Sequence, residues 1–494
     1  MAYEKPGSEK VSTENGTQQK GPNRSAIRTF STKSNISNPH NVFQEQLVIA
    51  MVGLPARGKS YLSKATARYL NFAGCPCRLF NAGNLRREQG LAGTDAAFFD
   101  QNNAEAKEMR EILAMKCLRQ LLDWVQHSNK GCRVGILDAT NTTSERRRNV
   151  IAQVRVEAKL NPRLQLIFVE SLADDPELLE NNYRMKLSND DYKGKDPIKA
   201  LADFKERVRK YEAVYEEVCD YEDNDIRYIK LINAGEKLVA RKIHGFVPRR
   251  LLNFLGCVHL WPRTIWIALS GETDYDLAQV LGGDPSLTEE GQEYALGVSN
   301  LIQQRIQLEE EPLRAENGRG SFVIYTGTHK RYIQMVETIS QNLQHHMKGI
   351  CPAVLAAANA NDLCEGLLDS TTEAQRKELY PLESEARRAN KLNYRYPGVG
   401  GESYQDLVGR CNELCGMLEH SRGNSLVICN RAVYRVVTAY FLGKAIEEIP
   451  FLEVKPGVLE LRRNHSGFYQ TQLEVNMGKC TSAVGVGSTI ESFD

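Results

Sequence analysis

Eight consecutive residues, Gly53 to Ser60 (GLPARGKS), combine two glycines, a lysine and a hydroxyl at fixed spacing. An apolar stretch, LVIAMV, precedes them and a helical pattern, YLSKATARYL, follows, so the sequence predicts a strand, a loop and a helix. In such a loop the backbone N–H groups and the helix N-terminus face anionic oxygens. Lys59 would reach the β- and γ-phosphates of a nucleotide, and the Ser60 hydroxyl would hold its Mg²⁺.

A carboxylate follows another apolar stretch, in which RVGIL is followed by Asp138. Ligands of open α/β sheets bind at the carboxyl ends of parallel strands, so Asp138 is placed to act on one. It could hold a Mg²⁺-bound water or accept the proton of an attacking hydroxyl. The alternative is that Asp138 only caps the next helix.

Arginines recur close to the predicted strand ends, as Arg86-Arg87, Arg110 and Arg146 to Arg148. Helical spacing in ADFKERVRKYEAVY also places Phe204, Arg207, Val208 and Tyr211 on one face. Guanidinium groups suit bidentate contacts with phosphate, so this pattern favours a second, phosphorylated substrate. The alternative for each arginine is an ordinary solvated surface position.

Composition limits the class of protein. At 494 residues, the chain is too long for one core and suggests two domains. With 41% hydrophobic residues, 25% charged residues and a net charge of +1, it has no global field to attract nucleic acid or acidic membranes. No apolar run is long enough to cross a bilayer, and no signal peptide is evident, so we expect a cytoplasmic protein. Its twelve cysteines are interpreted as free thiols.

Strand and helix patterns alternate twice along the chain, which is typical of α/β folds with mostly parallel sheets. The first series contains LVIAMV, PCRLFNAG, a helix over 103–127, RVGILDATN, LQLIFVES and a helix near 198–218. The second contains RTIWIAL, SFVIYTG and NSLVICN, with 251–264 as a connector between the series. We predict a disordered tail over 1–42, domains over 43–250 and 251–480, and a second tail over 481–494.

Six stretches of the first series together resemble the kinase half of the 6-phosphofructo-2-kinase/fructose-2,6-bisphosphatase family. They are GLPARGKS, FNAGNLRRE, LDATNTTSERRR, VESLADDP, MKLSNDDYK and DFKERVRKYEAVY. The resemblance implies a P-loop kinase fold, transfer of the γ-phosphoryl group of ATP to the 2-hydroxyl of fructose 6-phosphate, and a homodimer. This chain departs from the family's pattern at Asn84, Leu85 and Ala173, and none of these changes removes a phosphate ligand.

The resemblance also implies residue roles. Asp138 and Lys59 would be catalytic, with Mg²⁺ carried by the nucleotide near Ser60 and Asp138. The residues implied for ATP are Gly53, Leu54, Pro55, Ala56, Arg57, Gly58, Lys59, Ser60, Tyr61, Asn181 and Lys186. Those implied for the sugar phosphate are Arg86, Arg110, Thr140, Arg146, Lys186, Arg207 and Tyr211.

The second series resembles the family's other half, a histidine phosphatase of the phosphoglycerate mutase type, through LGGD (281–284), RYP (395–397), GESYQDLV (401–408) and 427–442. Such a site needs a histidine nucleophile, an arginine beside it, a second histidine and an acid. In this chain the four corresponding positions are Ser270, Leu269, Asn430 and Ala360, and a further arginine position is Val280. The sequence therefore predicts an intact fold without bisphosphatase activity.

Several alternatives stay open. The second half could retain some hydrolysis, use Ser270 as a nucleophile if a base lies beside it, or bind sugar phosphate through Arg331 and Arg395. The whole chain could be a silent nucleotide-binding regulator, or a P-loop kinase for another metabolite.

Overall fold

The structure is a computed structural model that describes residues 45–90, 98, 103–126, 131–187, 192, 196–308, 322–347, 351–464 and 467–476. The tails predicted over 1–42 and 481–494 lie outside the described residues. The described chain forms two α/β halves, each built on a six-stranded sheet. Within the described chain, no helix is both long enough and apolar enough to cross a membrane.

The first sheet has the strand order β2-β3-β1-β4-β5-β6, and every neighbouring pair is parallel except the antiparallel β5–β6 pair. All seven residues of the central strand are buried, which explains its uninterrupted apolar sequence. The strands are β1 Gln46–Val52, β2 Cys77–Asn81, β3 Arg133–Asp138, β4 Leu164–Leu172, β5 Tyr228–Ile232 and β6 Lys237–Arg241.

Helices cover both faces of this sheet, and two of them begin where an Asp-Pro pair specifies the start. Asp175 and Asp196 accept hydrogen bonds from the first-turn amides, and the prolines that follow occupy the first helical position. The helices are α1 Lys59–Phe72, α2 Ala82–Glu88, α3 Ala104–Gln126, α4 Ser144–Leu160, α5 Pro176–Lys186, α6 Pro197–Glu212 and α7 Phe246–Cys257.

Helix α7 contradicts the prediction that residues 251–264 form a connector. Residues 251–257 belong to α7, and Leu251, Phe254 and Leu255 are buried in the core of the first half. That core also includes Leu260 and Trp261, so the chain packs with the first sheet until just before β7. Apolar side chains at helical spacing explain the helix, and the predicted division after residue 250 falls inside it.

The second sheet has the order β12-β11-β7-β10-β8-β9, in which β7, β10, β8 and β9 are parallel and β11 runs antiparallel to β7 and β12. Its strands are β7 Thr264–Leu269, β8 Val323–Thr326, β9 Ala353–Ala356, β10 Ser425–Cys429, β11 Val458–Arg463 and β12 Phe468–Leu473. Its helices are α8 Asp274–Leu277, α9 Glu289–Gln307, α10 Lys330–His346, α11 Glu373–Leu379, α12 Pro381–Ala389, α13 Tyr404–His420 and α14 Arg431–Leu442.

The two halves are joined by a buried ionic cluster, which we call the Glu419 cluster. One carboxylate oxygen of Glu419 accepts a hydrogen bond from Arg68 of α1 at 2.7 Å, and the other accepts one from Arg263 at 3.0 Å. The three side chains are at most 6% exposed. The Nε2 atom of His259, which is also buried, lies 2.6 Å from a terminal guanidinium nitrogen of Arg263. Helix α1, which starts at the phosphate-binding loop, is thereby fixed to the second half.

Apolar contacts continue this junction along α1. Phe72 is buried in the core of the second half, where its ring meets that of Tyr440 edge-on at 5.2 Å between centroids. The Arg68 guanidinium lies 5.6 Å from the ring centroids of Tyr440 and Phe468. Helix α1 therefore belongs to both hydrophobic cores.

The Glu419 cluster generates a stability prediction. Glu419→Gln removes the negative charge without changing side-chain size and leaves two buried guanidinium groups uncompensated. Breaking a buried ion pair in this way costs about 3–5 kcal/mol. We expect a clearly lower midpoint of urea unfolding, followed by circular dichroism.

The matched control is Glu206→Gln, whose partner Arg209 is 75% exposed, and it should leave the midpoint unchanged because exposed ion pairs contribute little. Equal midpoints for both variants would show that the Glu419 cluster does not hold the halves together.

Candidate active site

A cavity of about 440 Å³ opens at the carboxyl ends of the central strands of the first sheet. Loops after β1, β2 and β3 meet there because these strands are parallel and adjacent. Helices α3, α5 and α6 complete its wall. The predicted site residues that line it are Pro55, Ala56, Gly58, Lys59, Ser60, Arg86, Arg110, Asp138, Thr140, Arg146, Lys186, Arg207 and Tyr211.

The loop predicted to bind phosphate, Gly53 to Ser60, requires glycine at two points. Gly53 has a φ of 136°, and a Cβ there would lie 2.5 Å from the Ser171 carbonyl oxygen. Gly58 has a φ of 82°, and a Cβ there would lie 2.3 Å from the Leu260 side chain. The Gly53 N–H donates to the Thr140 carbonyl at 3.0 Å, which ties this loop to the loop after β3.

Lys59 is the first residue of α1 and is only 7% exposed. Its ammonium donates to the Leu54 carbonyl at 2.6 Å, which holds the side chain back across the loop. Burial lowers the Lys59 pKa to about 7, and the neighbouring cations Lys186 and Arg207 lower it further while Asp138 opposes them. A polyanionic ligand would therefore stabilise the charged form of Lys59.

Asp138 is the last residue of β3 and is 4% exposed. One of its carboxylate oxygens accepts a hydrogen bond from the Asn81 side-chain amide, which fixes the orientation of the carboxylate. The cap of the following helix α4 is Thr143, whose hydroxyl accepts from the Arg146 N–H at 3.2 Å. The helix-cap interpretation of Asp138 is therefore wrong, and its carboxylate faces the cavity.

Cationic side chains converge on the same cavity from helices α2, α3, α4 and α6. Arg86 of α2 is 5% exposed, and Arg110 of α3 has its pKa lowered by burial and by the neighbouring Arg146 and Arg207. Like charges gathered in a partly buried space favour an anionic ligand. Arg147 differs, because it is fully buried against the Glu222 carboxylate and backbone carbonyls. Its role is structural.

Five predicted nucleotide residues do not line the cavity: Gly53, Leu54, Arg57, Tyr61 and Asn181. The guanidinium of Arg57 instead lies 3.3 Å from the Glu212 carboxylate and 3.2 Å from the Tyr183 hydroxyl. The neighbour of Asn181 on α5, Asn182, is the one that lines the cavity.

Asn81, Asn182 and Arg463 are among the lining residues that sequence reasoning missed. The position of Asn81 at the end of β2, beside the end of β3, could have identified it. No sequence signal could have identified Arg463, which lies in the second half.

At the carboxyl edge of the second sheet, Ser270 and Asn430 follow neighbouring strands, and the Ser270 N–H donates to the Cys429 carbonyl at 3.0 Å. Asn430 caps α14 by accepting from the Val433 N–H at 2.8 Å. Leu269 packs against the hydrophobic core. Ser270, Leu269 and Asn430 thus each make a contact that stabilises the fold.

Ala360 follows strand β9 at the same carboxyl edge of the sheet, but its side chain is not exposed there. Ala360 is fully buried in the hydrophobic core, whereas Asp362, two residues on, forms an ion pair with Arg331 and accepts a hydrogen bond from Tyr332. The alignment that assigned the family's acid to Ala360 therefore marks a core position.

A serine mechanism at Ser270 has no base in the described residues, because its hydroxyl makes no hydrogen bond to a histidine there. His329 lies at the same sheet edge, but its Nδ1 is 4.0 Å from the Asp362 carboxylate, and burial together with Arg331 lowers its pKa. A partly buried acid, Glu365, has its pKa raised to about 7 by desolvation and by Asp369. Sequence reasoning treated His329 as one of several scattered histidines and assigned no role to Glu365.

The arginines of the second half that were candidates for sugar-phosphate binding are already neutralised. Arg331 pairs with Asp362, Arg395 with Asp406 and Arg410 with Glu402. A phosphate would have to displace a carboxylate from each, so this edge is a weaker anion site than the first cavity.

In the first half, a phosphate-binding loop opens a helix on a parallel sheet, beside a strand-end carboxylate and a cationic pocket. These features define the first half as a P-loop kinase fold. The second half has the fold of a histidine phosphatase. Family models agree: residues 34–262 match 6-phosphofructo-2-kinase, and residues 265–473 match the histidine phosphatase superfamily (branch 1).

Curated relatives extend the match across both halves. The 6-phosphofructo-2-kinase/fructose-2,6-bisphosphatase of Caenorhabditis elegans is 34% identical over 87% of this chain and 89% of its own length. The 6-phosphofructo-2-kinase/fructose-2,6-bisphosphatase 3 of Rattus norvegicus is 35% identical over 82% of this chain and 68% of its own length. The 6-phosphofructo-2-kinase 1 of Saccharomyces cerevisiae is 36% identical over 83% of this chain and 49% of its own length. The chain belongs to the 6-phosphofructo-2-kinase/fructose-2,6-bisphosphatase family.

The burial of Lys59 predicts a pH dependence of nucleotide binding. In the free protein its pKa is about 7, and bound phosphates would raise it, because opposite charge favours the ammonium. The affinity should therefore fall as the pH rises from 7 toward the pKa of Lys59 in the complex. Phosphate groups titrate near pH 6 and stay ionised in this range.

Calorimetry with MgADP between pH 7.5 and 9, in two buffers of different ionisation enthalpy, should show proton uptake on binding. Lys59→Arg, whose charge does not titrate here, should bind without this uptake. Identical affinities and no proton uptake in the unaltered protein would contradict the proposed state of Lys59.

Proposed function

We propose that this protein transfers the γ-phosphoryl group of MgATP to the 2-hydroxyl of fructose 6-phosphate, giving fructose 2,6-bisphosphate and ADP. The observation that carries the proposal is the single cavity in which the phosphate-binding loop, the Asp138 carboxylate and a separate group of arginines face one another. One anionic substrate needs the loop, and a second needs the arginines. Family membership selects the identity of the second substrate.

The reaction assigns a step to each group. Lys59 and the amides at the start of α1 hold the β- and γ-phosphates, while Arg86, Arg110 and Arg207 hold the 6-phosphate of the sugar. The 2-hydroxyl oxygen forms the new bond to phosphorus as the bridging bond to ADP breaks, and its proton passes to Asp138. The hydrogen bond from Asn81 would keep one carboxylate oxygen occupied and leave the other for this proton.

Mg²⁺ would enter with ATP as part of the substrate. The Ser60 hydroxyl and the Asp138 carboxylate both line the cavity, and hard oxygen donors of this kind suit Mg²⁺. The metal would neutralise phosphate charge during the transfer. Because no described group of three or more His, Cys, Asp or Glu side chains is arranged to hold a metal, the ion would depend on the nucleotide for its remaining ligands.

We further propose that the second half does not hydrolyse fructose 2,6-bisphosphate. Leu269, Ser270 and Asn430 replace the family's reactive residues, and the remaining arginines are paired with carboxylates. A kinase without the opposing phosphatase would raise the concentration of this regulator of glycolysis. The homodimer implied by the family and a cytoplasmic location stay predictions.

The kinase proposal predicts a selective effect of Asp138→Asn. Loss of a general base costs 10²–10⁴-fold in rate, so kcat for fructose 2,6-bisphosphate formation should fall by at least a hundredfold, with little change in the affinity for ADP measured without Mg²⁺. The assay follows acid-labile bisphosphate formed from MgATP and fructose 6-phosphate.

Asp174→Asn is the control, since Asp174 follows strand β4 of the same sheet but does not line the cavity, and it should keep full activity. If the unaltered protein forms no acid-labile product, the kinase proposal is wrong. A substrate panel would then show whether another metabolite is the acceptor, and binding of MgADP without any turnover would indicate a silent regulator.

The phosphatase proposal predicts that Leu269→Arg with Ser270→His restores little hydrolysis. The family's second histidine is still absent at Asn430, and Arg331 stays paired with Asp362. Release of inorganic phosphate from fructose 2,6-bisphosphate should be at background in the unaltered protein and remain far below that of an active relative in the double variant. Robust hydrolysis by either protein would overturn the proposal.

A further inference from the structure

One residue of the second half lines the nucleotide cavity of the first. Arg463 is the last residue of β11, whereas the other lining residues lie between Pro55 and Val214. The side chain is buried, with 9% of the residue exposed.

The contacts of Arg463 place its guanidinium beside the first turn of α1. Its central carbon lies 4.3 Å from the ring centroid of Tyr61, the third residue of that helix. One terminal nitrogen donates to the Leu260 carbonyl, and the Leu260 side chain packs against Gly58. The guanidinium therefore borders the part of the loop whose amides would meet the phosphates.

Arg463 carries a charge that no carboxylate of the described residues neutralises through an ion pair. Its Nε–H also has no hydrogen-bond acceptor there. Burial lowers its pKa to about 10, with the nearby Arg263 adding to the effect, so the side chain remains protonated at neutral pH. A buried charge without a partner is costly.

Four of the other buried arginines show the contrast. Arg68 and Arg263 share Glu419, Arg147 pairs with Glu222 and Arg331 pairs with Asp362. Arg463 alone among these five lacks an anion and lines a cavity. The missing anion is therefore expected to be a ligand.

We propose that Arg463 binds the phosphate chain of the nucleotide, so that the second half supplies a nucleotide-binding residue to the kinase site. This inference rests on the proposed function, because it takes the cavity to be the nucleotide site. Its Nε–H would donate to a phosphate oxygen, a charge-assisted hydrogen bond of the stronger kind. The kinase site is then incomplete without the second half.

The position of Arg463 is fixed by the fold of the second half. Strand β11 is hydrogen bonded to both β7 and β12, which limits its movement. Arg263, which begins the chain segment leading into β7, is held in the Glu419 cluster together with Arg68 of α1. The same contacts that join the halves thus align Arg463 with the phosphate-binding loop.

The test compares Arg463→Met with Arg462→Met in the full chain. Arg462 is the neighbour on the same strand, but its side chain is 44% exposed and pairs with Glu460. Titration calorimetry with MgADP should show at least tenfold weaker binding for Arg463→Met and unchanged binding for Arg462→Met. In the kinase assay, the KM for ATP should rise while the KM for fructose 6-phosphate stays constant.

Adenosine, which lacks phosphates, separates a phosphate contact from a packing effect. Arg463→Met should leave the affinity for adenosine unchanged if the residue binds phosphate, whereas a distorted cavity would weaken adenosine and MgADP alike and overturn the inference. Arg463→Lys, which keeps the charge, should recover part of the MgADP affinity.

The two proposals fail differently. Equal MgADP affinities for the unaltered protein and Arg463→Met would overturn the role of Arg463 and leave the kinase intact. No MgADP binding by the unaltered protein would overturn both.

Discussion

The carboxylate of Glu419, buried between Arg68 and Arg263, is the interaction on which the arrangement of the two halves depends. Its burial is compensated by two guanidinium groups, one from each side of the junction. Since Arg68 lies on the helix that the phosphate-binding loop opens, the kinase site and the second half share a structural element. The second half is therefore part of the kinase scaffold, whatever chemistry it performs.

Local patterns predicted the part of the site that depends on neighbours in sequence. The strand, loop and helix around Gly53 to Ser60, and the carboxylate that ends β3, follow from short-range periodicity and the steric needs of glycine. Their meeting in one cavity also follows, because parallel strands bring their carboxyl ends to one edge. Arg86, Arg110 and Arg207 could be selected as ligands only through the family resemblance.

Contacts between distant residues could not be predicted in the same way. Strands β5, β6, β9, β11 and β12 were missed, because their formation depends on partners elsewhere in the sheet. All four residues of β9 are exposed, so that strand carries no burial pattern. Arg463 meets Tyr61 across about four hundred residues of sequence, and no local signal marks such a pair.

The second half shows which positions of a reactive site the fold can lose. Gly271 cannot change, because a Cβ there would lie 2.4 Å from the Gly291 carbonyl oxygen. Position 270 contributes only its backbone N–H to the sheet edge, and position 430 needs only a side chain that caps a helix, which asparagine does well. Leucine at 269, serine at 270 and asparagine at 430 are therefore compatible with an intact fold, and the second half supports α1 whether or not it has chemistry of its own.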